Sequence, residues 1–395
     1  MRFFSYFYEQ EMDTLFYQKP VSFSKHSDRE LLSYALGATL YMPGTRKILL
    51  HDLTSKKNEG LTSIVLDLED AVGDSDVLQA EQNLIEQIGK VYRAIETGHL
   101  SIESMPLLFI RIRDLEQFKK IKNELGECFQ LFTGAVLPKF EVETGRALLE
   151  EVKLMDTAEN PFYAMPILET GKVIRKESRM NELISIKGLL DEFRESILNI
   201  RIGATDFSGL YGIRRNADTT VYEIAVLRDC ISDIINVFLR ADAPYVISGP
   251  VWEYFSSKER MMKPQLRQTP FRERFGEEGL KWRTELIDRH LDGLIREVLM
   301  DVSNGLTGKT IIHPTHIRAV QAMNVVSYEE YIDACNIIDS ANGENGAVKS
   351  PFSNKMNEIK PHAYWAAKTL LKSQIYGVLN AEFTNIDLLG TKVYV

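Results

Sequence analysis

Three carboxylates lie within four residues, Asp67, Glu69 and Asp70, where the apolar run Ser63-Ile64-Val65-Leu66 ends. Such acids repel one another unless a cation sits between or beside them. Other apolar runs end similarly, with Arg46, Arg111, Lys139, Glu169 and Asp206 following them. Glu169 and Asp206 close adjacent runs, so their carboxylates can converge on one point. Two carboxylates with the remaining positions open suit Mg²⁺, with Mn²⁺ as a substitute, because the ion keeps several waters. Asp67, Glu69 and Asp70 would then hold those waters, and Arg111 would clamp a carboxylate substrate. Two plainer readings compete. The acids could cap the next helix, or pair with Arg111 and Lys139 across a shared rim.

A metal and an arginine without an obvious nucleophile favour chemistry through an enolate, with cleavage or formation of a carbon–carbon bond. The expected substrate carries a carboxylate and an oxo or thioester oxygen. Hydrolysis of a thioester by a metal-held water would use the same parts. A third possibility is a non-catalytic barrel that binds a ligand or partner. Lys139 as a Schiff-base amine would make a metal-free aldolase, but it leaves the surrounding acids unexplained. His313 and His316 have no third ligand nearby, so hydrogen-bonded structural histidines are expected there. Residues 208–212, rich in glycine, precede Arg214 and Arg215. They read either as an anion-holding turn or as a loop with solvated arginines.

Eight short apolar runs must position these residues, at 38–42, 63–68, 107–111, 135–138, 162–168, 200–203, 245–248 and 310–313. Helical patterning fills the intervals, as at 79–96, 116–125, 142–155, 221–239 and 285–302. The alternation predicts an α/β fold with a parallel sheet. Eight units predict a (β/α)₈ TIM barrel, with an open doubly wound sheet as the alternative. No GxGxxG or GxxxxGK(S/T) opens a helix to hold nucleotide phosphates. Barrel chemistry sits at the carboxyl ends of the strands, and six of the eight ends carry an acid or a base. The barrel is assigned to residues 35–325. Residues 1–34 form an aromatic arm expected to dock on the body or on a neighbouring subunit. Residues 250–284 are long for a barrel loop, and are expected to form a lid, an anion-binding flap or a subunit contact. Residues 326–395 are expected to be a helical C-terminal segment, with helices through Ser340 and from about Pro361 to Tyr376.

The 395 residues are 44% hydrophobic and 26% charged, as in soluble globular proteins. A net charge of -9 disfavours nucleic acid or an anionic membrane as partner. Cys128, Cys230 and Cys335 form no CxxC, which points to a reducing, cytoplasmic setting and away from disulfides or a cysteine zinc site. No apolar run approaches the roughly 18 residues of a membrane helix. Glu9, Glu11 and Asp13 interrupt the aromatic N-terminus, unlike a signal peptide.

The strand ends read Tyr41-Met42-Pro43-Gly44-Thr45-Arg46, Leu66-Asp67-Leu68-Glu69-Asp70-Ala71-Val72, Arg111 and Pro138-Lys139. Ile167-Leu168-Glu169-Thr170, Ile202-Gly203-Ala204-Thr205-Asp206-Phe207 and Gly308-Lys309-Thr310-Ile311-Ile312-His313-Pro314 follow. On these pieces the chain resembles the citrate lyase β-subunit-like branch of the HpcH/HpaI aldolase family. These pieces occur in family order over roughly 38–325. The resemblance implies a TIM barrel, Mg²⁺ on Glu169 and Asp206, and Arg111 on the substrate's carboxylate or oxo group. Glu69 and Asp70 would complete the catalytic set in the water shell. It further implies C–C cleavage or formation in short oxo- and hydroxy-acids, often as coenzyme A thioesters, by trimers or multiples of trimers. Arg46 lies where such relatives meet the thioester's nucleotide part, and Lys139 joins the substrate contacts. Arg113 stands where the family usually has Asn, and is expected among the same contacts; Thr205 stands where it has Glu. The extended form also resembles lyase-like proteins found with tellurium-resistance-type clusters, for which a biosynthetic role is supposed.

Overall fold

The computed structural model describes residues 1–55, 58–255, 289–341 and 346–389. Its strands are β1 (Phe16–Gln18), β2 (Ala38–Pro43), β3 (Ser63–Asp67), β4 (Leu107–Arg111), β5 (Phe132–Leu137) and β6 (Tyr163–Leu168). They continue with β7 (Arg201–Ile202), β8 (Lys309–Ile311), β9 (Ala347–Lys349), β10 (Met356–Glu358) and β11 (Val378–Leu379). Strands β3, β4, β5 and β6 are buried at every position. Burial on both faces is what their unbroken apolar composition demands in a parallel sheet.

Seven strands form one sheet in the order β7-β6-β5-β4-β3-β2-β8. Residues 245–249 join its two edges. Ile200 bridges Ile247 and Gly249 bridges Lys309, both in parallel. Ile200 N donates to Val246 O at 2.9 Å, and Thr307 N donates to Ile247 O at 2.9 Å. The run expected as the seventh strand is therefore present as bridges to both edges, and the sheet closes into a TIM barrel.

Helices Val77–Glu96, Leu115–Leu125, Val142–Met155, Lys176–Glu192, Ala225–Phe238 and Arg289–Ser303 cover the outside. In the first of these, Ala80, Leu84, Ile88 and Val91 are buried, the three- and four-residue spacing of one helix face. The acids at 67–70 do not cap it, since a short 3₁₀ turn, Asp74–Asp76, leads into that helix.

The arm docks on its own chain. Phe3 and Phe4 are fully buried, Phe3 lies 4.5 Å from the Tyr376 ring, and β1 pairs antiparallel with β11. Helices Tyr328–Asp339 and Ile359–Tyr376 match the expected C-terminal helices, with an unanticipated hairpin of β9 and β10 between them. Most of the expected lid (256–284) and most of the expected turn at 342–346 (342–345) lie outside the described residues. Among the described residues, no helix is long and apolar enough to cross a membrane.

Candidate active site

The register of β3 and β4 sets Asp67 beside Arg111 at the carboxyl ends of both strands. Both are buried, so the ion pair is also a packing requirement. Arg111 Nε donates to Asp67 Oδ1 at 2.7 Å and Nη2 to Oδ2 at 2.6 Å. Its Nη1 lies 3.0 Å from Glu69 and 3.2 Å from Asp70. Burial opposes the charge on Arg111, but its hydrogen bonds to Asp67 outweigh that and hold the guanidinium protonated. The guanidinium also lies over the Tyr41 ring, 5.4 Å from its centroid.

Lys139 follows β5 with a φ of 47°, a left-handed conformation that costs a non-glycine residue about 1 kcal/mol or more. The twist aims its backbone N–H at Glu169 Oε1, 2.7 Å away. Its ammonium contacts Glu69 and lies 3.5 Å from Asp70. Burial works against the lysine's charge, but the Glu69 hydrogen bond raises its pKa. A lysine held protonated is a poor Schiff-base nucleophile.

Glu169 follows β6 and is 4% exposed. Burial, and then the neighbouring Asp206, push its carboxyl up to about 8. Asp206 sits in helix Ala204–Gly209, directly after β7, within hydrogen-bonding reach of Glu169. Burial, and then Asp70, raise its pKa as well. Together with Arg111, Asp67, Asp70, Tyr41 and Thr310, the two acids line a cavity of about 730 Å³ at the barrel mouth.

A family model described as a C–C bond lyase of the TIM-barrel fold matches residues 30–378. The chain belongs to that family. No curated protein matches it in sequence. Among solved structures it is similar to the Mycobacterium tuberculosis protein CitE in complex with magnesium, acetoacetate and coenzyme A. That match has 17% identity over 86% of this chain and 99% of the other, with a TM-score of 0.51. It is also similar to RipC from Yersinia pestis, with 20% identity over 74% and 95% of the two chains and a TM-score of 0.43. The CitE likeness supports the barrel fold.

Not every sequence-predicted residue of this lyase-family chain reaches the cavity. Arg113 is turned to the loop after β3, where Nε donates to Leu68 O at 2.8 Å and Nη2 to Val72 O at 2.8 Å. Its Nη1 lies 2.7 Å from Asp74. The guanidinium clamps that loop and does not line the cavity. Arg46 pairs with the buried Asp52 and is also absent from the lining, as are Glu69 and Lys139, which meet each other beside it.

After the glycine-rich turn Arg214 is exposed, as in a solvated loop, but Arg215 is not. That side chain is buried and pairs with Glu297 and, at 3.0 Å, with Glu253. Glu253 also accepts from Thr205 Oγ1 at 2.8 Å, bringing to the rim an acid that sequence reasoning had not singled out. His313 stacks on Phe255 at 4.4 Å, and the His316 ring bonds Tyr254 O at 3.0 Å, both in structural roles. Among the described residues, no group of three or more His, Cys, Asp or Glu side chains forms a ready metal cluster. The two-carboxylate pair is the smaller set expected for a largely hydrated ion.

Proposed function

We propose that this lyase-family protein is a Mg²⁺-dependent C–C lyase, or the catalyst of the reverse condensation, acting on a small oxo- or hydroxy-acid. The observation that carries this reading is the pair Glu169 and Asp206. Both carboxylates face the cavity, while the nearby cations Arg111 and Lys139 are paired with Asp67, Glu69 and Asp70. Two neighbouring buried carboxylates ionise together only when positive charge joins them. Their hard oxygen donors suit Mg²⁺, and the open cavity leaves room for its waters and for substrate oxygens. The similar CitE structure was solved with magnesium, acetoacetate and coenzyme A, which is in keeping with this ligand class.

Bound there, Mg²⁺ would supply Lewis-acid polarisation of an oxo or thioester oxygen. The chain's own residues would provide the rest. Arg111, fixed by four contacts, sets permanent positive charge at the rim where the substrate's oxygen gains electron density. Glu69 and Asp70 hold that guanidinium in place and orient water. Lys139, half exposed, presents a protonated amine to a substrate carboxylate. Residues 35–325 would be the catalytic unit, with the 1–34 arm and the 326–395 segment as accessories, in a cytoplasmic homo-oligomer of trimeric type.

The test is Glu169→Ala and Asp206→Ala, assayed against a panel of oxo-acids with and without coenzyme A. Loss of turnover with an unchanged circular-dichroism spectrum is expected. Wild-type turnover in either variant would sink the proposal. Release of free coenzyme A with an intact carbon skeleton would show a thioesterase in its place.

A further inference from the structure

A second cavity, of about 560 Å³, lies between the C-terminal helix Ile359–Tyr376 and the barrel. It shares no lining residue with the cavity at the mouth. Gly305 and Leu306 line it just before β8, whereas Thr310 and Ile312, later in the same run, line the mouth. The second cavity therefore sits at the amino end of the strands, opposite the end where barrels place their chemistry. Its walls include the apolar side chains of Leu299, Val302, Met323, Leu379 and Phe383.

Two lysines line this space. Lys368 and Lys372 lie four residues apart on the helix, the spacing that stacks side chains on one face. Like charges so placed are destabilising. Both are half-buried, and among the described residues neither forms an ion pair. Lys368 donates to Gly305 O, which uses one of the three donors of an ammonium. Lys372 makes no hydrogen bond among the described residues. The acid in the lining, Glu330, is taken up as a helix cap, accepting from Ser327 N at 3.1 Å and from its Oγ at 2.7 Å. Burial, and then Lys372, push the Lys368 ammonium down to about 7. Burial lowers Lys372 as well, against the weaker pull of Glu330.

Two ammonium groups thus share an apolar cavity without a counterion, an arrangement that costs stability as it stands. An anion between them would favour the charged form of both. The apolar walls would bury a hydrocarbon body, and the volume is that of a small-molecule site. We infer that this cavity binds an organic anion with an apolar tail, its head held by Lys368 and Lys372. The site stands apart from the proposed metal pair, so the inference does not depend on the lyase reading.

The experiment titrates octanoate, octyl phosphate, octanol and acetate into wild type and Lys372→Met by calorimetry, without Mg²⁺. Wild type should bind octanoate or octyl phosphate at least about 10-fold more tightly than octanol or acetate, since only the first two offer both a charged head and a tail. Lys372→Met should lose about 10- to 100-fold in that affinity, the effect of removing a charged partner. Its ligand-free Tm should equal or exceed that of wild type, because the lysine bonds nothing in the chain. Equal anion affinity in both proteins, or octanol bound as tightly as octanoate and octyl phosphate, overturns the inference. A marked fall in the ligand-free Tm also overturns it, by making Lys372 structural. Should Lys372→Met fail to fold, a crystal structure of wild type with octanoate decides. A carboxylate on Lys368 and Lys372 supports the assignment, and octanoate bound only elsewhere overturns it.

Discussion

Gly203 and Glu169 share a space too small for a methyl group. A Cβ on Gly203 would stand 2.1 Å from Glu169 Oε2 and 2.4 Å from its Cβ. The backbone of Gly203 has a φ of -88°, which any residue adopts, so the constraint is steric alone. Gly203→Ala must therefore displace the Glu169 carboxylate. The expected result is a folded protein that loses Mg²⁺ affinity by about 10- to 100-fold, the usual effect of disturbing the support of a ligand. Calorimetric Mg²⁺ titration checks this, and unchanged affinity would show that Glu169 is not a ligand.

Asp67 is the main counterion of a buried arginine. Asp67→Ala leaves Arg111 in place with its bidentate partner gone. Removal of one member of a buried pair costs about 3–5 kcal/mol, and equilibrium denaturation should show a loss in that range. A cost below about 1 kcal/mol would mean that Glu69 and Asp70 satisfy Arg111 by themselves.

Arg113 offers a contrast that separates positioning from substrate binding. Its bonds to Leu68 O and Val72 O predict that Arg113→Ala loosens the loop carrying Glu69 and Asp70. Stability should fall by about 1–3 kcal/mol, because buried carbonyls lose their donors. A raised KM with unchanged stability would instead return Arg113 to the substrate.

The pH dependence follows from Glu169. Its carboxyl titrates at about 8 in the folded, metal-free chain, against 4.5 ordinarily, because of burial and then Asp206. Between those values the folded state keeps a proton that the unfolded state has lost. Stability from this group is therefore full below the lower value and declines as pH rises through the higher one. Mg²⁺ competes with that proton, so its affinity should rise over the same window. Thermal unfolding between about pH 5 and about pH 8 should show a falling metal-free Tm and a growing shift on adding Mg²⁺. A Mg²⁺ effect that does not change with pH would contradict the assignment.

Much of the site was legible because a barrel exports its chemistry to strand ends. Asp67, Arg111, Glu169 and Asp206 each close an apolar run, and the structure gathers them around one cavity. Arg113 is turned from the cavity by carbonyls 45 and 41 residues earlier, a direction that no local pattern encodes. Arg201, which lines the cavity, was overlooked inside the run Ile200 to Gly203, although an arginine among apolar strand residues is itself a signal. Its hydroxyl partners, Thr39 and Thr310, lie 162 and 109 residues away in the chain. The β9–β10 hairpin escaped for a related reason. It is tied down by Ser350 and Asn357 on the buried Asp333, side-chain bonds that carry no periodicity.

The central claim is that Glu169 and Asp206 form a Mg²⁺ site, and titration calorimetry of Mg²⁺ into wild type and Glu169→Ala tests it most directly. One Mg²⁺ per chain in wild type, and none in the variant, is the result expected. Equal binding in both proteins, or no binding in wild type at millimolar Mg²⁺ (about 1–10 mM), would contradict it.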